Sequence, residues 1–141
     1  MDYREAYEKA LQLLNVRFLS EGELKAKLRR RGVDDDVLKD VMAALEGEHF
    51  LDDQRLARDV YRYYARKGQY GHLYIVNRLR RRCLPVPEDV ERPDEYALAG
   101  NLVKRKFSYR ADEARKAARF LQYRGFSPSV IRDVLEDFTV H

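Results

Sequence analysis

One short pattern occurs three times in this 141-residue sequence and limits the fold more than any other feature. Leu28-Arg-Arg-Arg-Gly32-Val33, Leu79-Arg-Arg-Arg-Cys83-Leu84 and Leu121-Gln-Tyr-Arg-Gly125-Phe126 each run from a leucine through three polar or aromatic residues to a helix stop and then an apolar residue. The leucines lie 51 and 42 residues apart, a loose period of the size at which helical arrays repeat. Any helix–turn–helix can end in this way. Here the match also includes position within each unit, and that favours a genuine repeat. The expected fold is all-α, with three-helix repeats over 1–50, 51–93 and 94–141.

Start and stop signals fill in each unit. In the first, Asp2 is a candidate N-cap, and Ala6, Tyr7, Ala10, Leu11 and Leu14 recur at 3–4 spacing as one buried helix face. Ser20 and Glu23 have the spacing of a capping box, Leu24 and Leu28 face the core, and Gly32 sits where a helix C′ glycine belongs. The acidic run Asp34-Asp35-Asp36 opens a third helix with the stripe Val37, Leu38, Val41, Met42 and Leu45, ended by Gly47.

The second unit starts at the Asp52-Asp53 cap and runs to about Lys67, with Gly68 and Gly71 as breaks. Its next helix carries Tyr74, Ile75, Arg78 and Leu79 and reaches Arg82. Pro87-Glu88-Asp89 reads as the first turn of a short helix stopped before Pro93. The third unit has a helix over Asp94–Lys106 with Tyr96, Gly100, Val103 and Phe107 on one side, then one over Ala111–Arg124 with Ala114, Ala117, Ala118 and Leu121. Ser127-Pro128 supplies a cap and an N1 proline for the last, whose stripe is Val130, Ile131, Val134, Leu135 and Phe138.

Several classes of function find no support. The three histidines, His49, His72 and His141, have no partner at metal-ligand spacing, and the single Cys83 can build neither a zinc site nor a disulfide framework. No phosphate-cradling glycine loop is present. Neither a cofactor nor a metal is expected, and the chain reads as a binding protein rather than an enzyme. The adjacent carboxylates Asp52 and Asp53 could hold Mg²⁺ as in a nuclease, but a helix cap explains them better, as it does Asp34-Asp35-Asp36. No basic region followed by an apolar run marks a signal peptide, and the apolar stretches are too short to span a membrane. A cytoplasmic protein is the expectation, which one cysteine in 141 residues also suits. Charged residues at 37% suggest a large surface for the mass, as an extended array would have.

Charge distribution gives the strongest functional signal. From Arg55 to Arg82 nine basic residues (Arg55, Arg58, Arg62, Arg66, Lys67, Arg78, Arg80, Arg81, Arg82) face a single acid, Asp59. That stretch is +8 in a chain of +4. Arg58, Arg62 and Arg66 fall at i, i+4 and i+8, one stripe on a helix, with Leu56, Val60 and Tyr64 expected on the core side. Tyr61, Tyr63 and Tyr70 interleave with the cations, a pattern suited to stacking and cation–π contact. Arg29-Arg30-Arg31 forms a second cluster. Helix C-capping accounts for the arginine triplets but not for the stripe, so an anionic partner is expected: DNA, RNA or an acidic protein surface.

The motifs resemble those of a known family. Ala10-Leu11-x-Leu-Leu-x-x-Arg17-x-x-Ser20-x-x-Glu23-Leu24-x-x-x-Leu28-x-x-x-Gly32 resembles the opening signature of the bacterial RecX regulators of RecA, and Phe50-Leu51-Asp52-Asp53-x-Arg55-x-Ala57 their second hallmark. Lys67-Gly68, Gly71, Ile75 and Leu79 follow in order, and Arg124-Gly125-Phe126-Ser127 is similar to the C-terminal one. The resemblance implies an elongated, curved array of three tandem three-helix repeats. It implies a monomer that lies in the groove of the RecA–single-stranded-DNA filament, also touches DNA, and restrains RecA's ATPase, strand-exchange and co-protease activities. The alternative is a general helical DNA-binding protein without RecA dependence. The expected contact residues are Arg58, Arg62, Tyr63, Arg66, Lys67, Tyr70, Arg78, Arg81 and Arg82, with Arg29 and Arg30 second. Three departures stand out: Cys83 occupies a place where the family usually has glycine, Lys67-Gly68-Gln69-Tyr70-Gly71 is slightly altered around the usual Lys-x-x-Gly turn, and Pro85, Pro87 and Pro93 should shorten or distort the helix there.

Overall fold

The computed structural model describes residues 1–108 and 110–140, the last three by backbone alone. His141 and the Phe138 side chain therefore lie outside the described residues. Among the described residues there are eight α-helices and no strand: α1 (Tyr3–Val16), α2 (Glu21–Arg30), α3 (Asp35–Gly47), α4 (Asp53–Arg66), α5 (His72–Arg81), α6 (Glu95–Phe107), α7 (Ala114–Tyr123) and α8 (Pro128–Val140). The chain divides into two units, Met1–Asp59 with Leu79–Pro87, and Val60–Arg78 with Glu88–His141. The division falls within α4 and within α5.

In the first unit Asp2 and Ser20 cap their helices as predicted, whereas Asp34 stands at the N-cap of α3 with no side-chain cap hydrogen bond. Asp2 Oδ1 accepts from Glu5 N at 2.8 Å. Ser20 and Glu23 close a reciprocal box, each accepting the other's backbone N–H at 3.1 and 2.9 Å. Asp52 Oδ1 takes the Arg55 amide at 3.1 Å. Helices α1, α2 and α3 pack on one another around Ala6, Ala10, Leu24, Leu28, Val41 and Leu45, each leucine contributing about 1.5–3 kcal/mol by burial. The start of α2 is fixed further. Arg82 donates to both Glu23 oxygens at 3.2 and 3.1 Å and to Phe18 O at 2.8 Å. Ser20 Oγ donates to Arg82 O, and Asp53 Oδ1 accepts from Glu21 N at 3.0 Å. The end of α3 differs from expectation. Gly47 is its last helical residue, and the left-handed residue is His49 (φ 63), which lets Phe50 N reach Leu45 O. The closure needs its positive φ two residues beyond the glycine, so Gly47 is not the stop.

The recurrent stop has one geometry at all three places. Gly32 (φ 84), Cys83 (φ 58) and Gly125 (φ 84) are left-handed. The next residue in each case donates back to the leucine carbonyl: Val33 to Leu28 at 3.2 Å, Leu84 to Leu79 at 2.9 Å and Phe126 to Leu121 at 3.1 Å. This is the Schellman closure, and it explains why the residue after the stop is apolar and buried. Cys83 adopts this conformation with a Cβ, against a steric cost of about 1–2 kcal/mol that glycine does not meet.

In the second unit, α6, α7 and α8 pack mutually around Ala99, Val103, Phe107, Ala117, Leu121 and Phe126. The buried face of α6 is Ala99, Leu102, Val103 and Phe107; Tyr96 is exposed, because the apolar stripe is set by the later turns of the helix. A 3₁₀ turn, Ala111–Glu113, precedes α7, so that helix starts three residues later than predicted. Ser127 Oγ caps α8 through Val130 N at 3.3 Å. The amides of Gly71 and Leu73 donate to the carbonyls of Arg124 and Gly125 at 2.7 and 3.1 Å, and a Cβ on Gly71 would come within 2.5 Å of Gly125 O. The short helix expected at Pro87-Glu88-Asp89 does not form, and residues 84–94 contain none. Pro85, Pro87 and Pro93 remove three amide donors from eleven residues and push the residues before them to extended conformations.

Candidate nucleic-acid interface

Residues Val60–Arg78, the stretch of α4 and α5 in the second unit, contain four basic residues and no acid. Val60 and Tyr61 are buried, and this turns Arg62, Tyr63, Arg66 and Lys67 to the exposed side of α4. Tyr61 is thus not available for stacking: it is 0% exposed, with its hydroxyl 2.9 Å from His72 Nδ1. The core side of α4 is Ala57, Val60 and Tyr61 rather than Leu56, Val60 and Tyr64. Both differences come from one phase shift, since the Tyr61 ring fills the core place allotted to Tyr64.

Tyr64 instead joins an aromatic cluster. Tyr70 and Tyr74 stack with ring centroids 4.0 Å apart and planes within 6°. Tyr64 meets both edge-on at 6.0 and 5.9 Å, and Tyr63 meets Tyr64 edge-on at 5.1 Å. Cations surround these rings. Lys67 Nζ lies 4.7 Å from the Tyr63 centroid, and the Arg78 guanidinium lies 5.1 Å from Tyr74 and 5.9 Å from Tyr64. The Arg124 guanidinium lies 5.6 Å from Tyr70. Arg78 also donates twice to Tyr74 Oη, at 3.1 and 2.8 Å. Burial raises the Tyr74 phenol, but hydrogen bonds from Arg78 and Tyr70 and the charges of Arg78 and Lys67 outweigh it and hold the group below the ordinary tyrosine value. The cations are therefore oriented by neutral aromatic partners, which fix their positions without cancelling their charge. Tyr63 is 55% exposed beside them.

The second unit thus gathers Arg62, Tyr63, Arg66, Lys67, Tyr70 and Arg78 and adds Tyr64, Tyr74 and Arg124. The other candidates belong to the first unit. Arg58 is half-buried; Arg30 and Arg81 are exposed; Arg29 pairs with Asp35 at 3.4 Å. Arg82 is committed to Glu23 and Phe18 O, so its guanidinium serves the fold of the first unit. Tyr74 and Arg78 share the i, i+4 spacing and could have been found that way. No local signal marks Arg124, which arrives from α7's end. Asp52 and Asp53 each accept a backbone amide, and among the described residues no group of three or more His, Cys, Asp or Glu is placed to hold a metal. Asp52 caps its own helix α4 through the Arg55 amide, whereas Asp53 takes the amide of Glu21 at the start of α2.

Beside this cluster, His72 links α5 to the start of α6. Its Nδ1 faces Tyr61 Oη at 2.9 Å and Arg92 Nε at 3.3 Å, and its amide donates to Glu95 Oε1 at 3.1 Å. Arg92 Nε can only donate, so Nδ1 accepts and the ring is neutral with its proton on Nε2. Burial first, and then the Arg92 charge, hold His72 below its ordinary value, against a smaller opposing pull from Glu95.

Comparison with known proteins decides the family. A family model described as "RecX, first three-helix domain" matches residues 6–45, and "RecX, third three-helix domain" matches 93–135. "Regulatory protein RecX" of Halorhodospira halophila (strain DSM 244 / SL1) is 38% identical over 133 residues, 87% of this chain and 81% of that protein. The chain belongs to the RecX family. The two matched domains coincide with the α1–α3 and α6–α8 clusters. "Regulatory protein RecX" of Geobacillus kaustophilus (strain HTA426) is 29% identical over 99% of this chain. The chain spans only 56% of that relative and 55% of the one from Geobacillus thermodenitrificans (strain NG80-2). The crystal structure of RecX from Lactobacillus salivarius superposes with a TM-score of 0.83 at 18% identity, covering 99% of this chain and 98% of that one. At that identity the likeness concerns the fold, which is the RecX helical-repeat fold. No helix among the described residues is long and apolar enough to cross a membrane.

Proposed function

We propose that this chain regulates RecA by binding the RecA–single-stranded-DNA filament in its groove and restraining ATP turnover, strand exchange and co-protease activity. The observation that carries the nucleic-acid part is the acid-free basic and aromatic surface of Val60–Arg78; the regulatory part rests on the name shared by its relatives. Arg62, Arg66 and Lys67 take phosphates of single- or double-stranded DNA, Arg78 and Tyr70 border them, and Tyr63 offers a ring worth about 1–3 kcal/mol per stacked base. Arg58 and Arg81, then Arg29 and Arg30, extend contact to DNA or to RecA's acidic surface. The repeats 1–50, 51–93 and 94–141 engage successive RecA subunits, and bridging them blocks the motion that ATP turnover requires. The protein acts as a cytoplasmic monomer, without catalysis of its own and without a cofactor.

The test is RecA's DNA-dependent ATPase with increasing amounts of this protein. Progressive inhibition is expected; no change at saturation leaves only a general DNA-binding protein. Salt dependence supplements the assay without separating the two, because both release counterions: three or four single-strand phosphates give a slope of about −2 to −3 in log K against log salt.

A further inference from the structure

Helix α7 presents a basic and aromatic face that the proposed function leaves unused. Residues 104–124 hold eight basic residues, and their two acids, Asp112 and Glu113, sit together in the 3₁₀ turn before α7. Ala117 and Leu121 of α7 are buried in the core of the second unit, with Ala114 packed beside them. The opposite side of the helix is Lys116, Arg119, Phe120, Tyr123 and Arg124, at i, i+3, i+4, i+7 and i+8. Lys116, Arg119 and Tyr123 are exposed, Tyr123 at 82%, and Phe120 and Arg124 are half-buried. Helix capping does not explain these charges: Arg115 and Lys116 lie in the first turn of α7, where the helix dipole disfavours cations. The ion pairs among the described residues include none of Lys106, Lys116, Arg119 and Arg124.

Contacts within the second unit join this face to the tyrosine cluster of α4 and α5. The Arg124 guanidinium lies 5.6 Å from the Tyr70 centroid and 4.9 Å from that of Phe120, and it donates to Gln69 Oε1 at 2.7 Å. Lys106, in the last turn of α6, brings its Nζ within 4.5 Å of the Phe120 centroid. Cations and rings therefore follow one another in contact from Lys67 and Tyr63, through Tyr64, Tyr70 and Arg124, to Phe120 and Lys106. Resting on the α4 reading above, we propose that α7 is a second contact for the same single-stranded nucleic acid. Its phosphates lie at Lys106, Lys116, Arg119 and Arg124, and a base stacks on Tyr123. The chemistry favours a strand over an acidic protein surface. Carboxylates would need only the cations, whereas a strand supplies phosphates for the cations and base faces for the exposed ring one turn beyond Arg119. Lys106 and Arg124 are oriented, as at α4, by neutral rings that leave their charge intact. Two faces holding one strand raise each other's effective concentration, so loss of either weakens the whole.

The experiment follows the anisotropy of a fluorescein-labelled oligo-dT of about 20 nucleotides with the full chain, each variant being checked for fold by circular dichroism. Lys116→Gln/Arg119→Gln removes two phosphate contacts. Affinity at about 0.1 M salt should then fall at least about tenfold, and the slope of log K against log salt should become shallower by about 1.4. Tyr123→Ala should weaken binding about fivefold or more, and Tyr123→Phe should bind as the wild type does, because stacking uses the ring and not the hydroxyl. The two Tyr123 substitutions leave the charge unchanged, so diffuse electrostatic attraction does not register them. Arg62→Glu/Arg66→Glu tests the α4 contact in parallel. Wild-type affinity in the α7 variants, with the α4 variant weakened, overturns the inference and leaves the α4 reading standing. The reverse pattern refutes the α4 reading and supports the α7 contact. A loss confined to the glutamine variant, with none in Tyr123→Ala, overturns the inference as an effect of charge alone. Intact oligo-dT binding in the α7 variants together with lost inhibition of RecA's ATPase makes the face a protein contact and overturns it too. No oligo-dT binding by the wild type ends both readings.

Discussion

Cys83 and Gly22 should be strongly coupled, and the sign of a substitution at one should depend on the other. Cys83 holds a left-handed backbone at φ 58, and its Cβ lies against the second residue of α2. A Cβ built on Gly22 would stand 2.6 Å from Cys83 Cβ and 3.0 Å from its Sγ, with nothing else within 4 Å. Gly22→Ala alone therefore forces an overlap costing about 1–3 kcal/mol, against a helix-propensity gain of at most about 1 kcal/mol. The net expectation is destabilisation by about 1–2 kcal/mol. Cys83→Gly alone relieves about 1–2 kcal/mol of left-handed strain but frees the unfolded chain by about 0.5–1 kcal/mol, so it should be slightly stabilising. In the double variant both clashing atoms are gone and the propensity gain remains, so Gly22→Ala becomes neutral or stabilising. The coupling is about 1–3 kcal/mol. Urea unfolding followed by far-ultraviolet circular dichroism, on the wild type, both single variants and the double variant, measures it as a midpoint difference of about half to one molar. Additive effects, with coupling below about 0.5 kcal/mol, would refute the reasoning.

Other outcomes follow from the same contacts. Gly125 and Gly32 share φ 84, but a Cβ on Gly125 would overlap the Tyr74 backbone while one on Gly32 meets nothing; thermal melts should show Gly125→Ala losing about 3 kcal/mol or more and Gly32→Ala only about 1–2 kcal/mol. Burial raises Glu23, but the Arg82 hydrogen bonds and the Ser20 amide outweigh it, so its folded value lies below the ordinary one. Its stabilisation is present above the usual Glu value near ~4.3 and is lost as pH falls through the folded value. Glu23→Gln should cost about 1–2 kcal/mol at neutral pH and narrow its gap to wild type in acid urea melts. His72 is also depressed in the folded state, so its contribution is full above about 6.5 and declines as pH falls from there to the folded value. A His72→Gln variant should lack that decline, and ¹⁵N shifts should report the Nε2–H tautomer; an Nδ1–H ring would contradict the hydrogen-bond assignment.

Most of the helical framework was legible because its signals are local. The Asp2, Ser20, Asp52 and Ser127 caps and the three leucine-to-stop motifs act within five residues, and all form as read. What failed depended on competition between neighbours. Residues 84–94 had an acidic start after Pro87, but no helix forms there, and Pro93 turns the residue before it away from helical backbone. Gly47 lost the stop to His49 because closure geometry, not residue type, selects the left-handed position. The candidate site was legible as charge but not as partners. Arg82 looked like its neighbour Arg81 until Glu23, 59 residues earlier, claimed it. Tyr61 and Tyr64 exchanged places because both lie near the apolar stripe, and only packing against His72 decides which ring is buried.

The proposed working face is the exposed side of α4 in the second unit, and charge reversal there tests it most directly. RecA's single-strand-DNA-dependent ATPase would be titrated with wild type, with the Arg62→Glu/Arg66→Glu variant and with the Arg29→Glu/Arg30→Glu variant, all checked for fold by circular dichroism. The prediction is that half-inhibition by the α4 variant needs at least about tenfold more protein, while the α2 variant shifts it by less than about threefold. Full inhibition by the α4 variant, or a larger loss in the α2 variant, would contradict it.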